Sequence, residues 1–211
     1  MAKPSRQVVV VACMLFAAAA SYRLLAERHE RASTEAGFWF EPVTYDSSRL
    51  PGAVTMDEVQ TIESVAWSEL TDAFAGLPIT FSNRRDARYR VHVVQELRDL
   101  RLRRYVGIAG ESRAISRIGG QGAVSFFFLA SGAVAYAPQD ADRASLIEAI
   151  GRGVGRASVH EFTHQFLPLA PIHDSRDISS YEYRSAARRE QYFGEMHWNL
   201  AWPLLQERLR P

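Results

Sequence analysis

The chain has 211 residues, 47% of them apolar and 23% charged, with a formal net charge of +1 at pH 7. That is enough for one well-buried domain, and the charge balance gives no footing for a nucleic-acid partner. The single cysteine, Cys13, excludes an intramolecular disulfide and a cysteine-built zinc site, so a metal here must be held by His, Asp, Glu or Tyr.

In chain order, Lys3 and Arg6 precede an apolar run from Val8 to Ala20 that ends in small residues. A basic start and about a dozen apolar residues have the form of an export signal. Extended through Leu24 and Leu25, with Arg23 reaching to the interface, the run becomes a retained anchor. Residues 1–26 are thus expected to be a signal peptide or membrane anchor, leaving the rest of the chain outside the membrane, tethered or secreted/periplasmic. Cys13 loosely fits a lipidation site, but the apolar run continues past it. Residues 27–54 read as a linker or lead-in, with Phe38, Trp39 and Phe40 docking where a domain spanning 55–211 begins. Such a lead-in is long enough to cover a cleft and hold an enzyme latent.

Thr55 and Glu58 form a capping-box pattern, and Val59, Ile62, Ala66, Leu70 and Phe74 recur at helical spacing, so a helix is expected over 55–75. Strands are expected at 79–82 and 89–96, where the lone His92 reads as a satisfied sheet histidine. Arg98, Arg101, Arg103 and Arg104 read as a solvated face. Residues 97–121 are ambiguous and end in a loop-like GGQG. Residues 123–137 read as two short strands, or one bent at Gly132. Asp140 and Asp142 are N-cap candidates for a helix running to about Phe166. Within it, GRGVG (151–155) follows helix rather than strand and lacks a phosphate-loop Lys. It reads as close packing on another element.

HEFTH (160–164) ends that helix. Positions i and i+4 share a face, so His160 and His164 can aim both imidazoles at one ion, with Glu161 beside them. Two neutral imidazoles suit zinc, an open coordination position admits water, and a carboxylate at Glu161 can take that water's proton. A structural metal site needs no such base. Asp174 and Asp177 read as imidazole partners or turn residues, His197 as a surface or core histidine, and Tyr181, Tyr183 and Tyr192 as oxyanion donors or aromatic packing.

The series HEFTH, IHDSRD and GEMHW resembles the metzincin clan of zinc peptidases over roughly residues 55–200, although about ten positions carry the likeness. The resemblance implies a small α+β zincin-like domain. A mixed twisted sheet would pack on a backing helix and an HExxH active-site helix, with a short, mostly helical C-terminal part. It implies one zinc ion, with His173 as third ligand and Met196 as a methionine in a turn beneath the metal. The segment Val124 to Leu129, through Val124, Phe126 and Phe128, would be the edge strand that pairs with an extended substrate. The chain departs from the clan in spacing: His164 and His173 are nine apart rather than six, and no glycine turns the helix. A gluzincin-like alternative takes Glu182 as third ligand. The expected activity is zinc-dependent hydrolysis of peptide bonds in a peptide or protein substrate, with Glu161 as general base. The competing class is a non-catalytic zincin-like binding or structural protein of the cell envelope.

Overall fold

A computed structural model describes residues 34–99, 104–105, 108–116, 119–168 and 172–210. The expected signal or anchor lies outside these residues, as do Arg101 and Arg103. Among the described residues no helix is long and apolar enough to cross a membrane.

The fold is α+β. In chain order its elements are β1 (Thr34–Phe40), α1 (Met56–Ala73), β2 (Ile79–Ser82), β3 (Tyr89–Val94), β4 (Arg98–Asp99), β5 (Arg104–Tyr105), β6 (Gly110–Ser116), β7 (Gly119–Ser125), α2 (Phe126–Tyr136), α3 (Arg143–Phe166), α4 (Glu190–Phe193) and α5 (Ala201–Arg208). Five strands form one mixed sheet in the order β2-β1-β3-β7-β6. The first four run parallel and β6 is antiparallel at the edge. β4 and β5 form a separate two-stranded ribbon.

The 27–54 lead-in needs correction. Its residues 34–40 are β1, paired on both sides in the sheet, with Ala36 and Phe38 fully buried. Tyr45 and Leu50 follow into the core, and Arg49 donates to the carbonyls of Val134 and Pro138. The domain therefore includes residues 34–54, which are structural rather than a removable cover. The sequence hides β1 because TEAGFWF alternates poorly, and Gly37 fits where the Arg84 carbonyl leaves no room for a side chain.

The helix at 55–75 forms as its capping box dictates. The Thr55 amide donates to Glu58 Oε2 at 2.8 Å, and the Glu58 amide donates to Thr55 Oγ1 at 3.3 Å. Ile62, Ala66, Leu70 and Ala73 face the core.

Residues 123–137 are the second correction. The strand ends at Ser125, whose hydroxyl caps α2 by accepting from the Phe128 amide. The stretch FFFLASGAVAY is apolar on nearly every side, and such a run carries no period to separate a buried helix from strands.

Helix α3 starts at Asp142, which accepts from the Ser145 amide at 2.8 Å. It is buried along most of its length. A Cβ on Gly151 would stand 2.7 Å from Val65 Cβ, and one on Gly155 would stand 2.8 Å from the Ala66 carbonyl. These glycines let α1 and α3 touch backbone to backbone, while Gly153 takes the Tyr192 ring on another side. The packing reading of GRGVG holds.

Candidate metal centre

The last two turns of α3 carry His160, Glu161 and His164. The helix stops at Phe166, two residues before Pro168, and the chain returns through a 3-10 turn, Ile172–Asp174, that carries His173. The longer turn thus brings the third histidine back despite its spacing.

The three Nε2 atoms face one another. His160 and His173 are 3.1 Å apart, His160 and His164 3.2 Å, and His164 and His173 2.9 Å. No assignment of protons satisfies this triangle. Each Nε2 is either a donor or an acceptor, so among three at least two are alike and repel. His160 is already fixed, because its Nδ1–H donates to the Tyr181 carbonyl at 2.8 Å and leaves the Nε2 lone pair pointing inward. A cation among the three nitrogens resolves the conflict. Tetrahedral zinc with bonds of about 2.0–2.1 Å to nitrogen holds its ligand atoms about 3.3 Å apart, close to the observed separations. The donor set fits zinc, and three protein ligands leave a position open.

Burial and mutual repulsion keep the imidazoles neutral, as ligands must be. Burial foremost, with the nearby His173 and Arg188, lowers His160 to about 4. Burial, His160 and His173 lower His164 to about 3. His173 is lowered by burial and by Arg184.

Glu161 is 5% exposed and makes no hydrogen bond to the described residues. Burial, with the negative charge of Glu111, pushes its carboxyl up to about 8. A cation held by the neighbouring imidazoles would draw it back toward the ionised form. Its carboxylate sits beside Gly110 of the edge strand. A Cβ there would lie 2.5 Å from Glu161 Oε1. The triad and Glu161 border one open cavity of about 470 Å³, lined by Ile108 to Ser112 at the start of β6 and by residues of the 181–188 segment.

Gln165, the next residue after His164, fixes the end of the helix to the sheet. It accepts from the Arg90 amide and donates to the Arg90 carbonyl and Ser112 Oγ. A Cβ on Gly120 would strike Gln165 Cγ at 2.5 Å. The loop-like GGQG is therefore strand β7 passing under Gln165, and glycines within a strand are the sequence signal of such a close approach.

Other expected site residues lie elsewhere. Glu182 is not a third ligand. Fully buried, it accepts from the amides of Asn199, Leu200 and Ala201 at the start of α5 and from Ser180 Oγ. Val124 and Phe126 are fully buried, and Phe126 and Phe128 are helical in α2, so this segment is no substrate edge. The edge strand is β6, whose polar sequence GESRAIS disguises it; of the three, only Phe128 borders the cavity. Met196 is half-buried against the core and is not among the residues that border the cavity. His197 pairs with Asp177 at 2.8 Å, and Asp177 also takes the Ser179 amide. Tyr181 and Tyr183 line the cavity, whereas Tyr192 is fully buried against Gly153. His92 lies against Trp39, and its Nδ1, 3.8 Å from Glu41 Oε1, has no hydrogen-bond partner among the described residues, so the satisfied-histidine reading holds only in part. Gly110 and Arg188, both at the cavity, carry no sequence signal.

Compared with protein-family models, curated proteins and solved structures, the chain matches none.

Proposed function

We propose that this chain is a zinc-dependent peptidase, exported through its N-terminal segment, with His160, His164 and His173 as metal ligands and Glu161 as general base. The observation that carries the reading is the triangle of Nε2 atoms with a buried carboxylate on the same helix turn that has no hydrogen-bond partner among the described residues. When bound, zinc would supply a Lewis acid and an acidified water.

The chain's own groups do the rest. The Tyr181 carbonyl holds His160 in the tautomer that presents Nε2. Ionised Glu161 accepts a proton from the attacking water and passes it to the leaving amine. Among the described residues the outer edge of β6 pairs with no strand, and it offers backbone hydrogen bonds to an extended peptide, which gives binding with little sequence demand.

The test is digestion of unfolded casein by the zinc-loaded full chain. Cleavage should stop on chelation, return with zinc, and be absent in Glu161→Gln. A zinc-loaded wild type that leaves several unfolded proteins intact would return the chain to the non-catalytic class.

A further inference from the structure

Two buried arginines border the cavity, and their surroundings differ. Arg156, 6% exposed, is fully matched. It binds the Glu69 carboxylate through Nε and Nη2 at 2.8 and 3.0 Å, and it donates from Nη1 to the carbonyls of Glu190 and Gly194. Arg188, 7% exposed, is not. Its Nη2 donates to the Ser180 carbonyl and Gln191 Oε1, both at 3.0 Å, while Nε and Nη1 are buried without a partner. Glu190 is the carboxylate nearest in influence, yet among the described residues none pairs with Arg188. The Tyr183 ring lies 4.7 Å over the guanidinium.

A buried guanidinium with its charge unmatched and two donors idle is costly, as is the charge left behind when one partner of a buried pair is removed. The arrangement is explained if the partner arrives with the substrate. The Nη that forms a fork with Nε is Nη2, already used twice, so each idle donor, Nε on one side and Nη1 on the other, can give a carboxylate one charge-assisted hydrogen bond. The position is close to the chemistry. His160 donates to the carbonyl of Tyr181, Arg188 to that of Ser180, and the two carbonyls belong to neighbouring residues. Arg184, exposed on the rim beside His173, adds positive charge at the entrance. Glu161 and Glu111 border the same cavity and keep a second negative charge away from the edge-strand side.

Building on the peptidase reading, we propose that Arg188 is a specificity residue that binds a substrate carboxylate, so that bonds within a residue or two of an acidic group are cut preferentially. That carboxylate is either an Asp or Glu side chain or the peptide's own C-terminus.

The test uses the zinc-loaded full chain and quenched-fluorescence peptides of one sequence. One pair exchanges Glu for Gln beside the cut bond; another exchanges a free C-terminus for an amide. In at least one pair, wild type should favour the acid by 10-fold or more in kcat/KM. In Arg188→Met that ratio should fall to near one, and Arg188→Lys, which keeps the charge but loses the Nε donor, should fall between. The pair that responds identifies the source of the carboxylate. Equal rates within both pairs, or a preference that survives in Arg188→Met, overturns the proposal while leaving the peptidase reading intact. If no peptide is cut, binding still decides it. N-acetyl-glutamate should shift the Arg188 Nε–H resonance in ¹⁵N NMR where N-acetyl-glutamine amide does not. The absence of a shift would sink the carboxylate site independently of any activity.

Discussion

Gly110 and Glu161 share one tight fit: a Cβ on the glycine would stand 2.5 Å from the carboxylate oxygen Oε1 and 2.9 Å from Cγ. The edge strand thereby sets where the Glu161 carboxylate can sit. In Gly110→Ala the carboxylate must swing away, and a displacement of about 1 Å costs about 100-fold in rate. We expect kcat to fall by about that factor with zinc content unchanged. Full activity in Gly110→Ala would show that Glu161 is not held by this contact.

Glu182 serves α5, so its removal should act on stability rather than on metal. Glu182→Ala strands three backbone amides in the interior, and hydrogen bonds to a charged group contribute about 1.5–3 kcal/mol each. A loss of about 3 kcal/mol in urea unfolding is expected, with the folded fraction still binding one zinc. Zinc loss without destabilisation would restore Glu182 as a ligand.

Glu58 gives a pH signature. Arg143 first, and then the Thr55 amide, hold its carboxyl down at about 2, against an ordinary value of 4.5. Its folded-state value is depressed, so its contribution is complete above pH 4.5 and is lost as pH falls from there through about 2. The stability gap between wild type and Glu58→Gln should be about 1 kcal/mol at pH 7 and should close below pH 4.5. A gap constant down to pH 3 would mean that the charge is not what stabilises this corner.

Gly151 tests the contact between α1 and α3. Alanine in a helix is favoured over glycine by about 1 kcal/mol, but here its Cβ would press on Val65 Cβ at 2.7 Å and on the Ile62 carbonyl at 2.9 Å. Overpacking of this kind costs about 1–3 kcal/mol, so Gly151→Ala should be net destabilising. A rise in Tm would show that the helices can part without penalty.

The sequence was legible where local chemistry acts alone. The capping box at Thr55, the N-cap at Asp142 and the stop before Pro168 are set by residues a few positions apart, and both long helices could be placed from them. The pair His160 and His164 was legible because helical geometry alone puts both on one face. His173 was reached through the metzincin resemblance with Glu182 left open beside it, because nothing local in the sequence fixes where a nine-residue turn returns the chain. Long-range packing was not legible. β1 is a strand because it lies between β2 and β3, the apolar stretch 126–136 is a helix because it is buried on most sides, and polar β6 is the edge because β7 pairs with it. Glu182 misled for the same reason. Its spacing from His164 suits a ligand, but its surroundings are the amides of α5.

The central claim is that three histidines from two elements hold one metal ion, and elemental analysis of the purified, zinc-reconstituted chain tests it most directly. Wild type, Glu161→Gln and Glu182→Ala should each carry about one zinc per chain, and His173→Ala should lose most of it. Retention of zinc in folded His173→Ala, or no zinc in wild type, would contradict the account.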